Sequence, residues 1–436
     1  MIGIPNKDRA ASRRTMGKPL AGDAPREPAA KRCVVVGATA RAFVESVTRL
    51  GWVAHAADLF GDVDLAAAAV EVVRLGAAGV APYPDGIPAV VSSFPEGVCI
   101  YTGALENHPD VIAALAAVRP LAGCSADAIR RVRDPAALAA VVRDAGARFP
   151  DTHPSPIGLP TDESFLVKPL RSAGGRGVRP WRGGRPDLTD RDLVWQRFVH
   201  GDGRSASYVA RKGATQLVGS TRPLTGASWC GGRSFAYCGS VDVPLDGLPD
   251  GLRQTLEHLG AAVAAAFGLT GLFGIDVVVD AAGEVHVLEV NPRPTASMEL
   301  LERSTGWSVA GAHLAASGWC AEPRRGVAPG EVWAKAIVYA PATVRSASSV
   351  AESIAALADR WTAADGLAAV ADIPHPDEQP VPGAPLVTVF ARGDTHDRAV
   401  ATLRQRVLLL RRSAAQDVSP RAAAPSEGWR TRGNTA

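Results

Sequence analysis

Three oxygen-bearing side chains stand close together in two β-rich runs past the middle of the chain. Asp276 lies in the first run, Glu289 and Asn291 lie in the second, and Ala281-Ala282-Gly283 separates them. The pattern predicts a β-hairpin, and a two-residue Ala282-Gly283 loop would place Asp276 directly opposite Glu289. Asn291 is two residues from Glu289 and therefore points to the same face. Apolar neighbours disfavour a solvated acidic face, and facing carboxylates repel, so we predict a site for Mg²⁺, or alternatively Mn²⁺.

A second chemical signal is a lysine followed by a glycine-rich segment. Lys168 comes at the end of the apolar run Phe165-Leu166-Val167, and Ser172, Gly174, Gly175 and Gly177 follow it. Glycines permit positive φ angles and let backbone N–H groups approach an anion closely. A lysine beside such a turn supplies a compact cation for phosphate. The alternative, a glycine-rich hairpin loop with a solvent-facing lysine, stays open on this segment alone.

A third segment, Leu193 to Gly201, alternates apolar and polar residues and ends at a glycine, which by itself indicates only a strand and a turn. The three segments in this order resemble the ATP-grasp superfamily, in detail over residues 130–310. Leu288-Glu289-Val290-Asn291-Pro292-Arg293 is close to the metal motif of that family, and 101–107 is similar to a segment of its preceding domain. The stretch 383–389 is similar, more weakly, to the closing domain of biotin-carboxylase-like members.

The resemblance implies ATP as cofactor and assigns roles to individual residues. Lys168 would contact the α- and β-phosphates. Arg293 would stabilise the charge on the transferred phosphoryl group, which makes it, with Lys168, the expected catalytic pair. The remaining nucleotide contacts would come from the glycine-rich lid loop and from the hinge strand: Ser172, Gly174, Gly175, Gly177, Gln196, Phe198 and Val199. Asp276, Glu289 and Asn291 would hold the metal.

Two positions depart from the family pattern. A lysine often found near the start of the domain is absent, and Arg133 is expected to replace it. The acidic residue that binds ribose can be matched only loosely to Asp202. Glu106, Asn107, Arg222, Ser297 and Glu299 are candidate substrate-wall residues, with Arg222 and Glu299 alternatively forming an ordinary surface pair.

The implied activity is that of a carboxylate–amine ligase that forms an acyl-phosphate with ATP and Mg²⁺. Members that carry this pattern resemble ligases of methanopterin or methanofuran synthesis. A biotin-carboxylase-like carboxylase is the first alternative, and a nucleotide-binding sensor or scaffold without turnover is an alternative of another class. An NAD-linked oxidoreductase is disfavoured because Thr39 and Ala42 stand where a dinucleotide fingerprint needs glycines.

The expected fold class is α/β and α+β: an ATP-grasp fold with an N-terminal Rossmann-like α/β domain and a small C-terminal β-rich domain. Short apolar runs alternate with helical stretches over the first part of the chain, including a helix predicted over 64–75. The expected divisions are a disordered arm (1–30), the N-terminal domain (31–130), the ATP-grasp domain (131–320, with a lid over 131–195 and a core over 196–320), the C-terminal domain (325–412) and a disordered tail (413–436).

The composition of the chain limits the classes of partner that we expect it to bind. The net charge of +3 argues against a nucleic-acid binder, and the first residues lack the apolar stretch of a signal peptide. We expect small-molecule carboxylate and amine substrates, no membrane partner and a cytoplasmic location, with a homodimer as the assembly to test. Six cysteines without a Cys-x-x-Cys pair indicate inert free thiols. Only six of 47 basic residues are lysines, and this scarcity singles out Lys168. Lys335 is expected to face the same nucleotide cleft as Lys168. Lys212 is expected on a turn.

Overall fold

The computed structural model describes residues 31–77, 81–184, 192–321, 323, 330–362 and 366–415. The arm expected over 1–30 lies outside the described residues, as does the expected tail from 416 onward. Residues 413–415 were expected in the tail but are described, and the last helix ends at Ala414.

The N-terminal sheet is fully parallel and has the order β3-β2-β1-β4-β5. Its strands are β1 (Arg32–Val36), β2 (Val53–Asp58), β3 (Glu71–Arg74), β4 (Val98–Tyr101) and β5 (Leu121–Ala122). Helices connect these strands, as parallel pairing requires. The Rossmann-like N-terminal domain expected from the sequence is thereby confirmed.

One N-terminal helix is shorter than the sequence predicts. The helix expected over 64–75 ends at Ala68, and Glu71–Arg74 forms the edge strand beside β2. Val72 and Val73 lie in this strand, and Val70 directly precedes it. β-Branched side chains lose rotamer freedom in a helix and pack well on a pleated sheet, which accounts for the switch.

The helices among the described residues lie between or after the strands. They are α1 (Arg41–Thr48), α2 (Val63–Ala68), α3 (Ile87–Ser93), α4 (Pro109–Val118), α5 (Ala126–Val132), α6 (Pro135–Asp144), α7 (Asp250–Phe267), α8 (Met298–Thr305), α9 (Val309–Ala316), α10 (Ala347–Trp361) and α11 (His396–Ala414). None of these helices combines the length and the apolar character needed to cross a bilayer.

A small antiparallel sheet carries the predicted lid. Its strands are β6 (Thr152–His153), β7 (Phe165–Pro169), β8 (Arg179–Pro180) and β9 (Leu193–Arg197), in the order β6-β9-β7-β8. Phe165, Val167, Trp181, Leu193 and Trp195 form a separate small core behind it. The lid sheet is therefore a unit that holds its glycine-rich loop on a packed support.

The largest sheet has eight strands in the order β14-β13-β10-β11-β12-β15-β17-β16. Its strands are β10 (Asp202–Arg211), β11 (Ala214–Thr225), β12 (Tyr237–Val243), β13 (Gly271–Val279), β14 (Val285–Asn291), β15 (Val332–Tyr339), β16 (Val370–Ala371) and β17 (Pro385–Gly393). Lys212 and Gly213, both with positive φ, make the turn between β10 and β11, which confirms the turn expected at Lys212.

The C-terminal strands continue this large sheet instead of forming one of their own, because β15 pairs with β12. The strands and helices predicted there are present. However, α10 and α11 hold more residues than the three strands, so the C-terminal part is a mixed α/β layer rather than a β-rich one. Its core joins α10 and α11 to the sheet through residues such as Ile354, Val389 and Leu403.

Candidate active site

The predicted carboxylate pair forms across the hairpin of β13 and β14. Asp276 lies opposite Glu289, Gly274 lies opposite Asn291, and the Asn291 side-chain amide donates to Asp276 Oδ2 at 3.0 Å. The facing of Asp276 and Glu289 is confirmed. The expected two-residue turn is wrong, because Val279 pairs with Val285.

A β-bulge restores the predicted pairing. The ladder shifts by one residue between Asp276 and Val277, where Leu288 is the extra residue on β14. A bulge places two residues of one strand opposite one of its partner, so it cancels the register change at the turn. The tight turn itself depends on Asp280, whose Oδ1 accepts from the Ala282 and Glu284 N–H groups.

The two carboxylates differ in their ionisation. Burial and the negative charge of Glu289 raise the pKa of Asp276 above its ordinary value. Burial also acts to raise the pKa of Glu289, but the positive charges of Lys168 and Arg133 prevail and hold that pKa below its ordinary value. Glu289 remains exposed to the cleft, whereas Asp276 is half-buried. Of the two carboxyl groups, Asp276 is therefore the one that holds a proton more readily.

The donor set fits a divalent cation with few protein ligands. Two carboxylates and one side-chain amide supply oxygens, which are the ligands that Mg²⁺ prefers, and Mg²⁺ usually keeps waters and phosphate oxygens in its remaining positions. Among the described residues, no group of three or more His, Cys, Asp or Glu side chains forms a fully protein-bound metal site. Asp276, Glu289 and Asn291 therefore suit a metal that arrives with a nucleotide.

The glycine-rich loop connects β7 to β8 and lies against the segment before β12. Gly174, Gly175 and Gly177 have φ angles of +61°, +74° and +81°. The Gly174 carbonyl accepts from the Tyr237 N–H at 3.0 Å. A Cβ atom built on Gly175 would meet the Phe235 carbonyl oxygen at 1.8 Å. Only glycine permits both this backbone conformation and this close approach, so the loop packs against the segment before β12.

Lys168 and Gln196 come together on neighbouring lid strands. The Lys168 ammonium donates to Gln196 Oε1 at 2.9 Å, and Gln196 Nε2 donates to the Thr152 hydroxyl at 3.2 Å. The Phe198 N–H donates to the Ser164 carbonyl, and its half-exposed ring meets His200 edge to face. The Phe198 N–H is thus used by the fold, and its carbonyl remains as the group that could contact an adenine base. Val199 follows Phe198 beyond the end of β9 and is half-buried.

Arg293 links the metal hairpin to the N-terminal domain. Its Nη2 atom donates to Glu106 Oε1 at 2.6 Å and to Asn291 Oδ1 at 3.3 Å. Arg293 and Glu106 are both largely buried, with side chains 12% and 1% exposed. The guanidinium is therefore held in a fixed position beside the expected metal ligands.

Arg133 and Asn107 tie the lid to the rest of the protein. Arg133 Nη2 donates to Asn107 Oδ1 at 2.9 Å and also to the Leu170 carbonyl. Asn107 Nδ2 in turn donates to the Ser172 carbonyl at 3.2 Å. The sequence suggested Arg133 as a cation and Asn107 as a wall residue, but not this lid contact, because it depends on three segments distant in the chain.

Three other sequence expectations have different outcomes. Asp202, the loose match for a ribose ligand, accepts from Arg204 at 2.7 Å and from Arg222 at 3.1 Å. The alternative surface pair of Arg222 and Glu299 is wrong, because Glu299 is buried and pairs with Lys335 at 3.0 Å and with Arg41 at 2.5 Å. Lys335 is itself buried, so it neutralises Glu299 and does not present a free cation to the cleft.

Comparisons with known proteins identify related domains and folds. A family model described as an ATP-grasp domain matches residues 132–297. No curated relative matches the sequence. Among solved structures, carboxyaminoimidazole ribonucleotide synthase from Aspergillus clavatus complexed with ATP has a TM-score of 0.65 at 14% identity, covering 88% of this chain and 99% of that one.

Two further structures share the fold. L-amino acid ligase from Bacillus licheniformis has a TM-score of 0.62 at 14% identity, covering 88% of this chain and 98% of its own. Biotin carboxylase from Campylobacter jejuni has a TM-score of 0.61 at 14% identity, covering 86% and 94%. Residues 132–297 thus match an ATP-grasp domain, and the chain shares its fold with these three solved structures.

Proposed function

We propose that the chain is a ligase that activates a carboxylate with ATP as an acyl-phosphate and couples it to an amine. One observation carries this proposal: two facing carboxylates, Asp276 and Glu289, share a cleft with three cations, Lys168, Arg133 and Arg293. The carboxylates suit a divalent cation and the cations suit phosphate. The overall reaction converts a carboxylate, an ammonium ion and ATP into an amide, ADP, phosphate and a proton.

In the first step a substrate carboxylate oxygen bonds to the γ-phosphorus, and the bond to the ADP oxygen breaks. Lys168 and Arg293 would neutralise the charge that develops on the phosphoryl oxygens, since preorganised charges act most strongly in a site without bulk water. Asp276, Glu289 and Asn291 would hold Mg²⁺, which supplies charge neutralisation between the phosphates. The buried Glu106 carboxylate keeps the Arg293 guanidinium oriented.

Water must be kept from the acyl-phosphate, and the lid contacts provide the means. The Gly174 carbonyl accepts from the Tyr237 N–H, while the Asn107 and Arg133 side chains donate to carbonyls of the loop just after β7. Closure of such a loop sequesters the intermediate. The amine nitrogen then bonds to the acyl carbon and phosphate leaves, so no protein nucleophile is needed.

The experiment that tests this function measures ADP release with pooled carboxylates and amines. We expect release that depends on both pools, and a decrease of about 100-fold or more in Glu289→Gln. The matched control is Glu284→Gln, which alters an exposed acid of the same hairpin that pairs with Arg148. ADP release that depends on neither pool would contradict the proposal, and Mg-ATP binding without any turnover would support the sensor instead.

A carboxylase is a second candidate because some structures with this fold are named carboxylases, among them biotin carboxylase and pyruvate carboxylase. One N5-carboxyaminoimidazole synthase structure holds ADP and 5-aminoimidazole ribonucleotide. In this alternative bicarbonate takes the place of the carboxylate. ADP release that requires bicarbonate and no other carboxylate would favour it over the amide ligase.

The finer proposal concerns pathway and location. We infer a role in methanopterin or methanofuran synthesis from the sequence pattern of Leu105-Glu106-Asn107 and Val290–Pro294, with glutamate and an aromatic amine as the first pair to assay. The described cysteines are free, which suits a reducing cytoplasm. Absence of turnover with that pair, alongside turnover with others, would remove the pathway assignment and leave the ligase function standing.

A further inference from the structure

The loop between β11 and β12, residues 226–236, contacts both the lid and the strand that was predicted as the hinge. We name it the docking loop. Its Phe235 carbonyl lies against Gly175 of the lid, and Tyr237, directly after the loop, donates its N–H to the Gly174 carbonyl at 3.0 Å. The Phe235 ring also meets the Phe198 ring edge to face, with centroids 6.4 Å apart. The position of the docking loop therefore determines how the lid is seated.

Two cysteines lie at the base of this loop. Cys230 ends the single turn Ser228–Cys230 within the loop, and Cys238 is the second residue of β12. Their thiols form a hydrogen bond with each other, and Cys230 Sγ lies 3.9 Å from the Cys238 carbonyl oxygen. The Gly226 N–H donates to the Ala236 carbonyl at 2.9 Å, which holds the two ends of the loop together. The fold thus brings two thiols into contact, although their spacing of eight residues matches no common cysteine motif.

The two thiols of this pair differ in acidity. The hydrogen bond from the Cys230 thiol holds the pKa of Cys238 below its ordinary value despite burial, and two backbone hydrogen bonds of the docking loop act in the same direction. The same thiol–thiol hydrogen bond raises the pKa of Cys230. Burial instead raises the pKa values of Cys33, Cys99 and Cys124, as is usual for inert buried thiols. Cys238 is therefore the thiol of the pair that ionises first.

Backbone of the docking loop covers the Cys238 sulfur. A Cβ atom built on Gly232 would overlap Cys238 Sγ. The loop is tied to α11 by Arg411, whose Nη1 atom donates to the Ser228 and Trp229 carbonyls at 3.3 and 3.4 Å. Because both thiols are fully buried, a reagent reaches them only when the docking loop moves. We expect such movement to be easiest when the lid is detached from the loop.

We propose that Cys230 and Cys238 are a site of oxidative modification: hydrogen peroxide converts them to a disulfide, and this bond weakens the seating of the lid on the docking loop. The Cys238 thiolate bonds to one peroxide oxygen, the O–O bond breaks, and the hydroxide that leaves takes up the proton that Cys238 released. The Cys230 sulfur then bonds to the sulfur of the Cys238 sulfenic acid, the S–O bond breaks, and water leaves with the Cys230 proton. Two thiols and one peroxide thus give one disulfide and two water molecules.

The geometry of a disulfide explains the effect on the lid. The bond holds its two sulfurs about 2 Å apart, which is closer than two hydrogen-bonded thiols can lie. Its formation pulls the turn at Cys230 towards β12 and moves the intervening residues, among them Phe235, away from the lid. The hydrogen bond between Tyr237 and Gly174 is then weakened. This inference concerns the conformation of the chain and holds whichever substrates the site takes.

The test treats the full-length protein with hydrogen peroxide, blocks the remaining thiols and digests the protein with trypsin without reduction. Trypsin cuts after Arg233, between the two cysteines, so the disulfide is detected as peptides 213–233 and 234–253 joined together. Hydrogen exchange at the Tyr237 amide measures the seating of the lid without any turnover. The variants are Cys230→Ala and Cys238→Ala. Cys320→Ala is the matched control, because Cys320 is half-buried and lies outside the docking loop.

We expect the joined peptides in wild type and in Cys320→Ala, and in neither of the other variants. Exchange at the Tyr237 amide should become about tenfold faster or more in oxidised wild type, and dithiothreitol should reverse the change. Absence of the joined peptides from peroxide-treated wild type would overturn the modification site. Joined peptides with unchanged exchange at Tyr237 would overturn the effect on the lid. Both results come from wild type, so the test stands even if an alanine variant fails to fold.

Discussion

Asp276 and Glu289 face each other across the β13–β14 hairpin although the turn that joins the strands is not the one their spacing predicts. The bulge at Leu288 restores the pairing. Their mutual repulsion is retained in the fold, where burial and the charge of Glu289 raise the pKa of Asp276. We therefore expect the pair to destabilise the metal-free protein and to offer a preformed position to a divalent cation.

The first prediction concerns stability without metal. Asp276→Asn removes one of the facing charges and keeps an oxygen that accepts from the Asn291 amide. We expect the metal-free variant to be more stable than wild type by roughly 1 kcal/mol at neutral pH. Thermal unfolding measured with EDTA should show a higher Tm, and added Mg²⁺ with ATP should stabilise wild type but not the variant. A lower Tm in EDTA would contradict the repulsion.

The second prediction concerns pH. Because the folded-state pKa of Asp276 is raised, the folded protein binds more protons than the unfolded chain between the ordinary Asp pKa of about 4 and the raised value. Stability without metal should therefore fall as pH increases through that window. Metal binding requires the deprotonated carboxylate, so Mg-ATP affinity should increase with pH over the same window.

Calorimetry in two buffers of different ionisation enthalpy measures the proton directly. We expect Mg-ATP binding to release a fraction of a proton at the acidic end of the window, and Asp276→Asn to abolish that release. Affinity that is flat across the window in wild type would show that the pair is fully ionised before the metal arrives.

The third prediction concerns the lid. Gly175→Ala places a Cβ against the Phe235 carbonyl and strains a φ of +74°. We expect kcat to decrease about tenfold or more, since a lid that cannot close leaves the intermediate exposed to water. Gly158→Ala is the matched control, because Gly158 has a φ of +79° and nothing within 4 Å of its built Cβ. Similar losses in both variants would assign the effect to backbone strain.

The sequence allowed prediction of those parts of the site that depend on local spacing. The placement of Glu289 and Asn291 on one strand face follows from strand alternation, and the glycine requirement of the lid follows from the loop composition. The facing of Asp276 and Glu289 also depends on the bulge at Leu288, which no local pattern indicated. The strand at Glu71–Arg74 was mistaken for helix because alanine-rich and valine-rich stretches adjoin there and pairing with β2 decides between them.

Contacts between distant segments could not be predicted in the same way. The pairing of Glu106 with Arg293 spans 187 residues, and that of Arg41 with Glu299 spans 258. Composition drew attention to Lys335, but only the packing of α8 against β15 shows that Glu299 neutralises it. Charge pairs of this kind arise from tertiary packing, so no local pattern encodes them.

The formation of an acyl-phosphate is the central claim, and oxygen transfer tests it most directly. The carboxylate substrate that supports ADP release is labelled with ¹⁸O in both oxygens, and the inorganic phosphate is analysed by mass spectrometry or ³¹P NMR. Attack of a carboxylate oxygen on the γ-phosphorus predicts one ¹⁸O atom in each phosphate released. Unlabelled phosphate, or release of AMP and pyrophosphate in place of ADP and phosphate, would contradict the account.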